Sequence, residues 1–380
     1  MHADPMLPAT ADDAAAMLRE AAITGAALRP GGQGTRTHWR PDPREARIVG
    51  SSRLVDGFEH YAGDLVATVP AGMTLIEANS RLAAAGQWLP LDPPRAGSIG
   101  GLVATNDSGP RRLRHGTPRD LIVGIEVALT DGRVVQAGGR VVKNVAGYDL
   151  SRLFCGSYGS LGLVTRATFK LAPLPQASCT VVAQFADAEA ALAAAAVVDG
   201  PSLTPSSVEM QAPEWRLLVR FETSEAAAAL MAEGASALLQ RRAASVAIVR
   251  DSQEAEVWRD HAHRLATRRG VLLKVVVLPT AMSRLFALLS DARVHWSVSG
   301  RATLGVALLA LQGDDAQIVT VARGLTQYAR EHRGHVSLLD AADAMRAAVP
   351  LPASPAAAVM RAIKQRFDPA QVLPGVPDGR

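Results

Sequence analysis

Three glycine-rich loops, each beside an apolar stretch, fall within the first half of this chain: RPGGQGTRTHW (29–39), GSIGGLVATNDSGPRR (97–112) and GSYGSLGLVT (156–165). Glycine reaches left-handed backbone angles and lets a ligand approach the main chain, so such loops can present N–H groups to an anion. One loop suits one phosphate group. Three in one domain suit a long ligand that carries a diphosphate. Singly, each also reads as a structural turn, and Gly32-Gln33-Gly34 lacks the third glycine of GxGxxG, with no helical pattern close behind it. Hydroxyls accompany two of the loops, at Thr35 and at Ser98 and Thr105.

The surrounding pattern is strand-rich. After an amphipathic helix over Asp12–Gly25, ALRP (27–30) predicts a short buried strand that runs into the first loop. The residues LIEANSRLAAAGQWLP (75–90) read as a helix that Gly86 terminates. DLIVGIEVALTDGRVVQAG reads as a hairpin turned at Asp131-Gly132, and LGLVTRATFKLAPLP as a strand stopped by prolines. Few helices between 26 and 175 argue against a βαβαβ nucleotide fold. Beyond 176 strands and helices alternate, which predicts an α+β unit with a mostly antiparallel sheet. The expected organisation is a first domain over 1–175, a second over 176–345, and a C-terminal helix and tail over 346–380 that return to the first.

Composition narrows the function classes. The chain has 380 residues, a net charge of +4 and 4% aromatic residues. Its arginine clusters are short and lack interleaved aromatics, unlike a nucleic-acid-binding stripe. Two cysteines, Cys155 and Cys179, exclude a disulfide framework and any site built from four cysteines of this chain. The N-terminal stretch carries acids where a signal peptide carries bases, and the apolar runs are too short to span a bilayer. The expectation is a cytoplasmic protein without a metal site.

PGGQGT, PLDPPRAGSIGGLVATNDSGPRR, HGTPRDLIVGIEVALTDG, GGRVVKNVAGYDLSRLFCGSYGSLGLVTRATFKLAPLP and RFDPAQVLPG occur in that order. Together they resemble the flavoprotein family of vanillyl-alcohol oxidase and p-cresol methylhydroxylase (PCMH). KNVAGYDLSRLFCGSYGSLG and RGHVSLL are most similar to FAD-binding subunits of bacterial glycolate oxidases. The resemblance implies an α+β architecture: a two-lobed PCMH-type FAD-binding domain followed by an α+β cap domain. It implies that Gly31, Gly32, Gln33, Gly34 and Thr35, with Gly97, Ser98, Gly100 and Gly101, embrace the diphosphate of FAD. Thr105, Asn106 and Gly109 would continue toward the flavin ring, and Arg119 and Asp120 would form a tight turn near it. Gly159, Ser160, Leu161, Gly162 and Val164 would hold the adenine end. Departures from the family pattern are Tyr158, where an acid is frequent, and Leu373, where asparagine is usual. No histidine or cysteine lies in Gly31–Thr35, where some relatives tether the flavin, so non-covalent FAD is expected.

Oxidation of a 2-hydroxy acid needs a hydride acceptor, a base and a cation for the carboxylate. Active D-2-hydroxy-acid relatives carry an HxHxGDGxxH-like cluster, which is missing here. His261 and His263 are the one close histidine pair, and on a helix i and i+2 point apart. The catalytic candidates left are His335, Tyr148 and Arg111, with Arg112, His115, Lys143, Asn144 and Asp149 further down. Arg111 and Arg112 read as carboxylate binders or as solvent- or partner-facing residues. A strong cofactor site with an incomplete catalytic set implies a subunit of a glycolate oxidase-type complex. Its partners would be a second, catalytic flavoprotein and an iron–sulfur subunit, with any association with the inner face of the membrane arising through them. The alternatives are a self-sufficient FAD-linked oxidoreductase of another small alcohol or hydroxy acid, and a scaffold that has lost FAD.

Overall fold

A computed structural model describes residues 4–36, 39, 44–140, 149–264, 270–349, 351 and 354–376. The chain divides into two compact units. The first comprises Met1–Gly109, His115–Leu174 and Ala353–Arg380; the second comprises Pro110–Arg114 and Pro175–Pro352.

In the first unit, a helix over Ala11–Thr24 opens with a capping box, Thr10 and Asp13 satisfying each other's backbone N–H groups, and closes on Gly25 at φ 73°. Its buried face shares a core with a parallel pair, β1 (Leu28–Gly31) and β2 (Arg47–Gly50). The first glycine loop leaves the end of β1. The main sheet follows, from β3 (Glu59–Tyr61), β4 (Val66–Pro70), then β6 (Ile122–Ala128), β7 (Val134–Gly138) and β8 (Leu163–Lys170), in the order β3-β4-β8-β6-β7. All its pairings are antiparallel. A small pair, β5 (Gln87–Trp88) with β9 (Ala172–Pro173), lies apart. The helix expected to end at Gly86 spans Leu75–Ala83, and beyond it Gln87 and Trp88 extend to meet β9. The sheet packs a core of Val69, Phe169, Ile125 and Val127 with Leu102, Val103 and Phe154 from helices Ile99–Thr105 and Leu150–Phe154.

The second unit is one eight-stranded sheet. Its strands are β10 (Ala177–Gln184), β11 (Ser207–Ala212), β12 (Arg216–Thr223), β13 (Ser245–Val249), β14 (Val271–Val276), β15 (His295–Arg301), β16 (Val306–Gln312) and β17 (His335–Asp340). They run in the order β13-β10-β12-β11-β15-β16-β14-β17, antiparallel at every junction. A short 3-10 turn over Ala302–Leu304 joins β15 to β16. Period-2 alternation gives the sheet two unlike faces. Val181, Val208, Val219, Leu273 and Leu309 share the apolar core with helices Ala188–Val198, Glu225–Leu239, Met282–Ser290 and Asp315–Glu331. The alanine-rich stretches are the buried stripes of the first two of these helices, Ala191, Ala194 and Ala195, and Ala228, Ala232 and Ala235. The opposite face carries polar and charged residues, treated below.

The C-terminal helix, Ala357–Phe367, belongs to the first unit. Its Lys364 is buried, and the ammonium donates to the carbonyls of Ser160 at 3.0 Å and Leu373 at 3.2 Å and to the carboxylate of Asp368. Asp368, fully buried, also accepts from the N–H groups of Val372 and Leu373. One ion pair therefore ties the tail to the third glycine loop. Breaking such a pair strands a buried charge, so Lys364→Met should lower unfolding free energy by about 3–5 kcal/mol. Urea titration of the full chain, followed by far-UV circular dichroism, measures it.

Candidate functional site

The three glycine loops meet. A Cβ on Gly32 would lie 2.2 Å from Ser98 Oγ, and one on Gly97 2.3 Å from Arg36 Nη1, so the first and second loops are in contact. The second meets the third through Gly156 N–H donating to the Val103 carbonyl (3.0 Å) and Tyr158 N–H to that of Ala104 (2.8 Å). The third meets the first where a Cβ on Gly159 would stand 2.8 Å from Pro30. Between them lies a cleft of about 800 Å³ counting its open mouth.

Gly31, Gly32, Gln33, Gly34, Thr35, Ser98, Gly100, Gly101, Thr105, Gly159, Gly162 and Val164 line this cleft. Other expected site residues lie outside its lining. Gly97 packs on Arg36. Asn106, at φ 49°, closes the helix Ile99–Thr105 and accepts from Arg119 N–H at 3.1 Å. Gly109 is required by the Asp92 carbonyl, which a Cβ would meet at 1.7 Å. Arg119 donates to the Arg152 carbonyl, and Asp120 accepts from Thr117 in a capping box. Ser160 is buried, with its hydroxyl donating to the Ser157 carbonyl, and Leu161 belongs to the core. Even the lining hydroxyls are engaged: Thr105 Oγ1 donates to the Gly101 carbonyl at 2.7 Å, and Thr35 Oγ1 accepts from Arg36.

Sequence reasoning missed Arg29, Pro30, Arg36, Ser51, Ala104, Leu163 and Pro374 in this lining, and it noted Tyr158 only as a departure. Tyr158 takes φ 54°, a left-handed angle unusual for a bulky side chain. Arg36 was the legible one. It is buried, and it donates to Asp107 (2.7 Å), Thr35 Oγ1 (2.8 Å) and the Arg95 carbonyl (2.5 Å). The cleft lining includes the cations Arg29 and Arg36 and, among the described residues, no acid. An acid-free cleft of glycines and small polar groups suits an anionic ligand.

The catalytic candidates are not brought together. Tyr148, Lys143 and Asn144 lie outside the described residues. Asp149 caps the helix Leu150–Phe154, accepting from Arg152 N–H. His115 packs edge-on to Trp88, ring centroids 6.2 Å apart. Arg111 does bind a carboxylate, but it is the chain's own: Nε and Nη2 donate to Glu222 at 3.0 and 2.7 Å. His335 opens the edge strand β17, where desolvation and the nearby Lys274 cation hold its imidazole below the ordinary 6.5. Three strand spacings, from Val276 through Val306, separate it from Arg301 in the register, roughly 14 Å at ~4.8 Å each.

The clustered ionisable groups sit instead on the polar face of the second unit's sheet. Glu209 on β11 is ion-paired with Arg301, Nε lying 2.9 Å from Oε1, and accepts from His261 Nε2 at 3.0 Å, while Gln211 Nε2 donates to His261 Nδ1 at 3.0 Å. All four residues are at most 3% exposed. Nearby, Arg220 approaches Glu254 at 3.4 Å and stacks on Trp258, while Glu254 accepts from Ser178 and Thr180. His261 and His263 do part on their helix, as expected, but the sequence carried no sign that the inward one joins a buried network. Among the described residues no three histidine, cysteine or acidic side chains are grouped to hold a metal ion.

Burial works to raise the Glu209 carboxyl, but Arg301 and His261 outweigh it and hold the group below the glutamate value of 4.5. A lowered native value adds stability above the unfolded value, and that stability is lost as pH falls through the native one. Glu209→Gln should therefore cost about 3–5 kcal/mol near neutral pH, and the gap to the unsubstituted chain should close below pH 4.5. Glu214, half exposed in its pair with Arg264, should cost under about 1 kcal/mol on the same change. Thermal melting across a pH series checks both.

Residues 6–138 match the family model described as FAD binding domain. Glycolate oxidase subunit GlcE of Escherichia coli is 44% identical over 121 residues, 31% of this chain and 35% of that protein. Glycolate oxidase subunit GlcD of Bacillus subtilis is 36% identical over 148 residues, 38% of this chain and 32% of that protein. The matches thus span about a third of the length of these relatives. A solved structure of alkyldihydroxyacetonephosphate synthase superposes with a TM-score of 0.72 at 18% identity, covering 96% of this chain and 75% of that one, a likeness of fold. With the cleft and this match together, residues 6–138 are identified as a member of the FAD-binding domain family.

Proposed function

We propose that this chain is an FAD-linked oxidoreductase subunit of a glycolate oxidase-type complex. The observation that carries the reading is the convergence of three glycine loops on one acid-free cleft. In this reading Gly31–Thr35 and Ser98–Gly101 hold the cofactor's diphosphate, and Gly159–Val164 its adenine end. Asn106, Gly109, Arg119 and Asp120 shape the backbone behind the site. FAD, when bound, supplies the electron acceptor. The first unit then acts as the cofactor domain, and the second as a cap or partner domain.

The fit rests on the chain's own chemistry. Gly34 lines the cleft at φ 72°, and a Cβ there would meet nothing within 4 Å among the described residues, so their packing does not demand its lack of a side chain. Both cysteines are buried, and burial pushes the Cys155 thiol up to about 12. A thiol held protonated is no nucleophile, which agrees with non-covalent FAD.

The substrate-level reading is a 2-hydroxy acid such as glycolate, oxidised by the assembly with electrons passing through this subunit. A catalytic flavoprotein and an iron–sulfur subunit are the partners. What supports the accessory role is that Arg111 is committed to Glu222 and that both ring nitrogens of His261 are engaged. No helix among the described residues is long and apolar enough to cross a membrane, so any membrane association of those helices would come through such partners.

The purified chain should show flavin absorbance, and acid precipitation should release the flavin to the supernatant. Anaerobic glycolate, then D-lactate, should leave the bands unbleached in the isolated chain; bleaching would instead support a self-sufficient enzyme. A chain without flavin that takes none up on reconstitution would sink the cofactor reading. Gly34→Ala should melt within a few degrees of the unsubstituted chain, since only the strain of a left-handed angle, ~1–2 kcal/mol, opposes it. Its FAD affinity should fall, because the methyl group enters the cleft.

A further inference from the structure

The two cations that line the cleft are not equivalent. The guanidinium of Arg36 is committed on all three nitrogens, to Asp107, Thr35 and the Arg95 carbonyl, and Asp107 balances its charge. Its work is to hold loops together. Arg29 is different. It sits on β1 with its backbone in register with Ile48, it lines the cleft, and its Nε is buried with no hydrogen-bond partner among the described residues. A buried donor left without an acceptor loses hydration and gains nothing in return. Such an atom in a binding cleft marks a place where a ligand supplies the acceptor.

We propose that Arg29 is the charge-recognition residue of this cleft, donating to the diphosphate of the dinucleotide; this rests on the reading of the cleft as the FAD site. The lining chemistry selects an anion. No acid among the described residues faces Arg29 across the cleft, and the lining hydroxyls of Thr35 and Thr105 are already engaged within the protein. Backbone donors of the glycine loops fix the position of a phosphate but carry no full charge. An arginine fork adds that charge and matches two phosphate oxygens at once. The glycine loops alone favour an anionic ligand only through the partial charges of their N–H groups. With Arg29, the cleft discriminates for a phosphorylated one.

The test is a titration of FAD into the flavin-stripped full chain, followed by flavin fluorescence, for the unsubstituted protein, Arg29→Gln and Arg29→Lys. Arg259→Gln, a change of equal charge at an exposed helix position in the second unit, serves as control. Arg29→Gln should weaken FAD binding roughly 10- to 100-fold, Arg29→Lys by less, and Arg259→Gln not at all. ADP, which carries the diphosphate without the flavin, should lose affinity by a similar factor. Added salt should weaken the unsubstituted chain more steeply than Arg29→Gln. Melting of the stripped proteins separates lost binding from lost folding, and if Arg29→Gln does not fold, Arg29→Lys carries the comparison. Unchanged FAD affinity in Arg29→Gln, or a loss for FAD with none for ADP, overturns the proposal and leaves the cofactor reading standing. Failure of the unsubstituted chain to bind FAD overturns both.

Discussion

Mutual contact of three backbone segments is the constraint on which the first unit's architecture depends. Each pair of loops touches directly: Gly32 against Ser98, Tyr158 N–H on the Ala104 carbonyl, Gly159 against Pro30. Two buried cations then fix the arrangement from behind. Arg36 joins its own loop to Asp107 and the Arg95 carbonyl, and Lys364 joins the third loop to the C-terminal helix and tail. The cleft is the space left when these three segments have approached as closely as their backbones permit. Its shape is set by protein–protein contacts before any ligand arrives, which is the condition for binding without a large ordering cost.

This gives the glycines two distinct tasks. Gly100, against the Ala71 Cβ at 2.9 Å, and Gly162, against Val127 and Ala128, are demanded by the fold. Gly34 is demanded only by its left-handed φ of 72°, since no described atom lies within 4 Å of a Cβ there. On sequence alone, the presence of all the glycines argues against a scaffold that has lost its cofactor. The structure narrows that argument, because most of these glycines would be needed even in an empty cleft. What distinguishes a working site is the smaller set of features that packing does not require: the open position at Gly34 and the unmatched donor of Arg29.

Much of the fold is legible in the sequence because its signals are local. Helix Asp315–Glu331 and the hairpin around Asp131-Gly132 follow directly from periodicity and turn chemistry. Helix Ile99–Thr105 is hidden, since its sequence, IGGLVAT, holds two glycines and its stability comes from burying Leu102 and Val103. The glycine loops announce a cleft, but Arg29 and Pro374 cannot be assigned to it from sequence. The placement of Pro374 depends on the return of a tail more than three hundred residues away, and no local pattern encodes that. The same holds for Glu209, Arg301 and His261, which come from three separate elements and meet only through sheet register and helix docking.

The contrast between the two ionic systems bears on where chemistry can occur. A base that takes a proton from a hydroxyl group must offer a free lone pair. His261 does not: its Nδ1 accepts from the Gln211 amide, so its Nε2 carries the proton and donates to Glu209. Glu209 is in turn balanced by Arg301. His261 is thus held on both sides, which favours a structural role: it anchors the helix Asp251–Arg264 to a sheet face that would otherwise expose charged side chains. Arg29 has the opposite character, a donor in an open cleft with nothing yet to receive it. A chain that lines this cleft with a donor lacking a partner among the described residues, while both ring nitrogens of its buried histidine are engaged within the protein, is better suited to holding an electron carrier than to abstracting protons. In the proposed reading, that asymmetry is why a partner flavoprotein, rather than a hidden base in the second unit, is the consistent source of the missing chemistry.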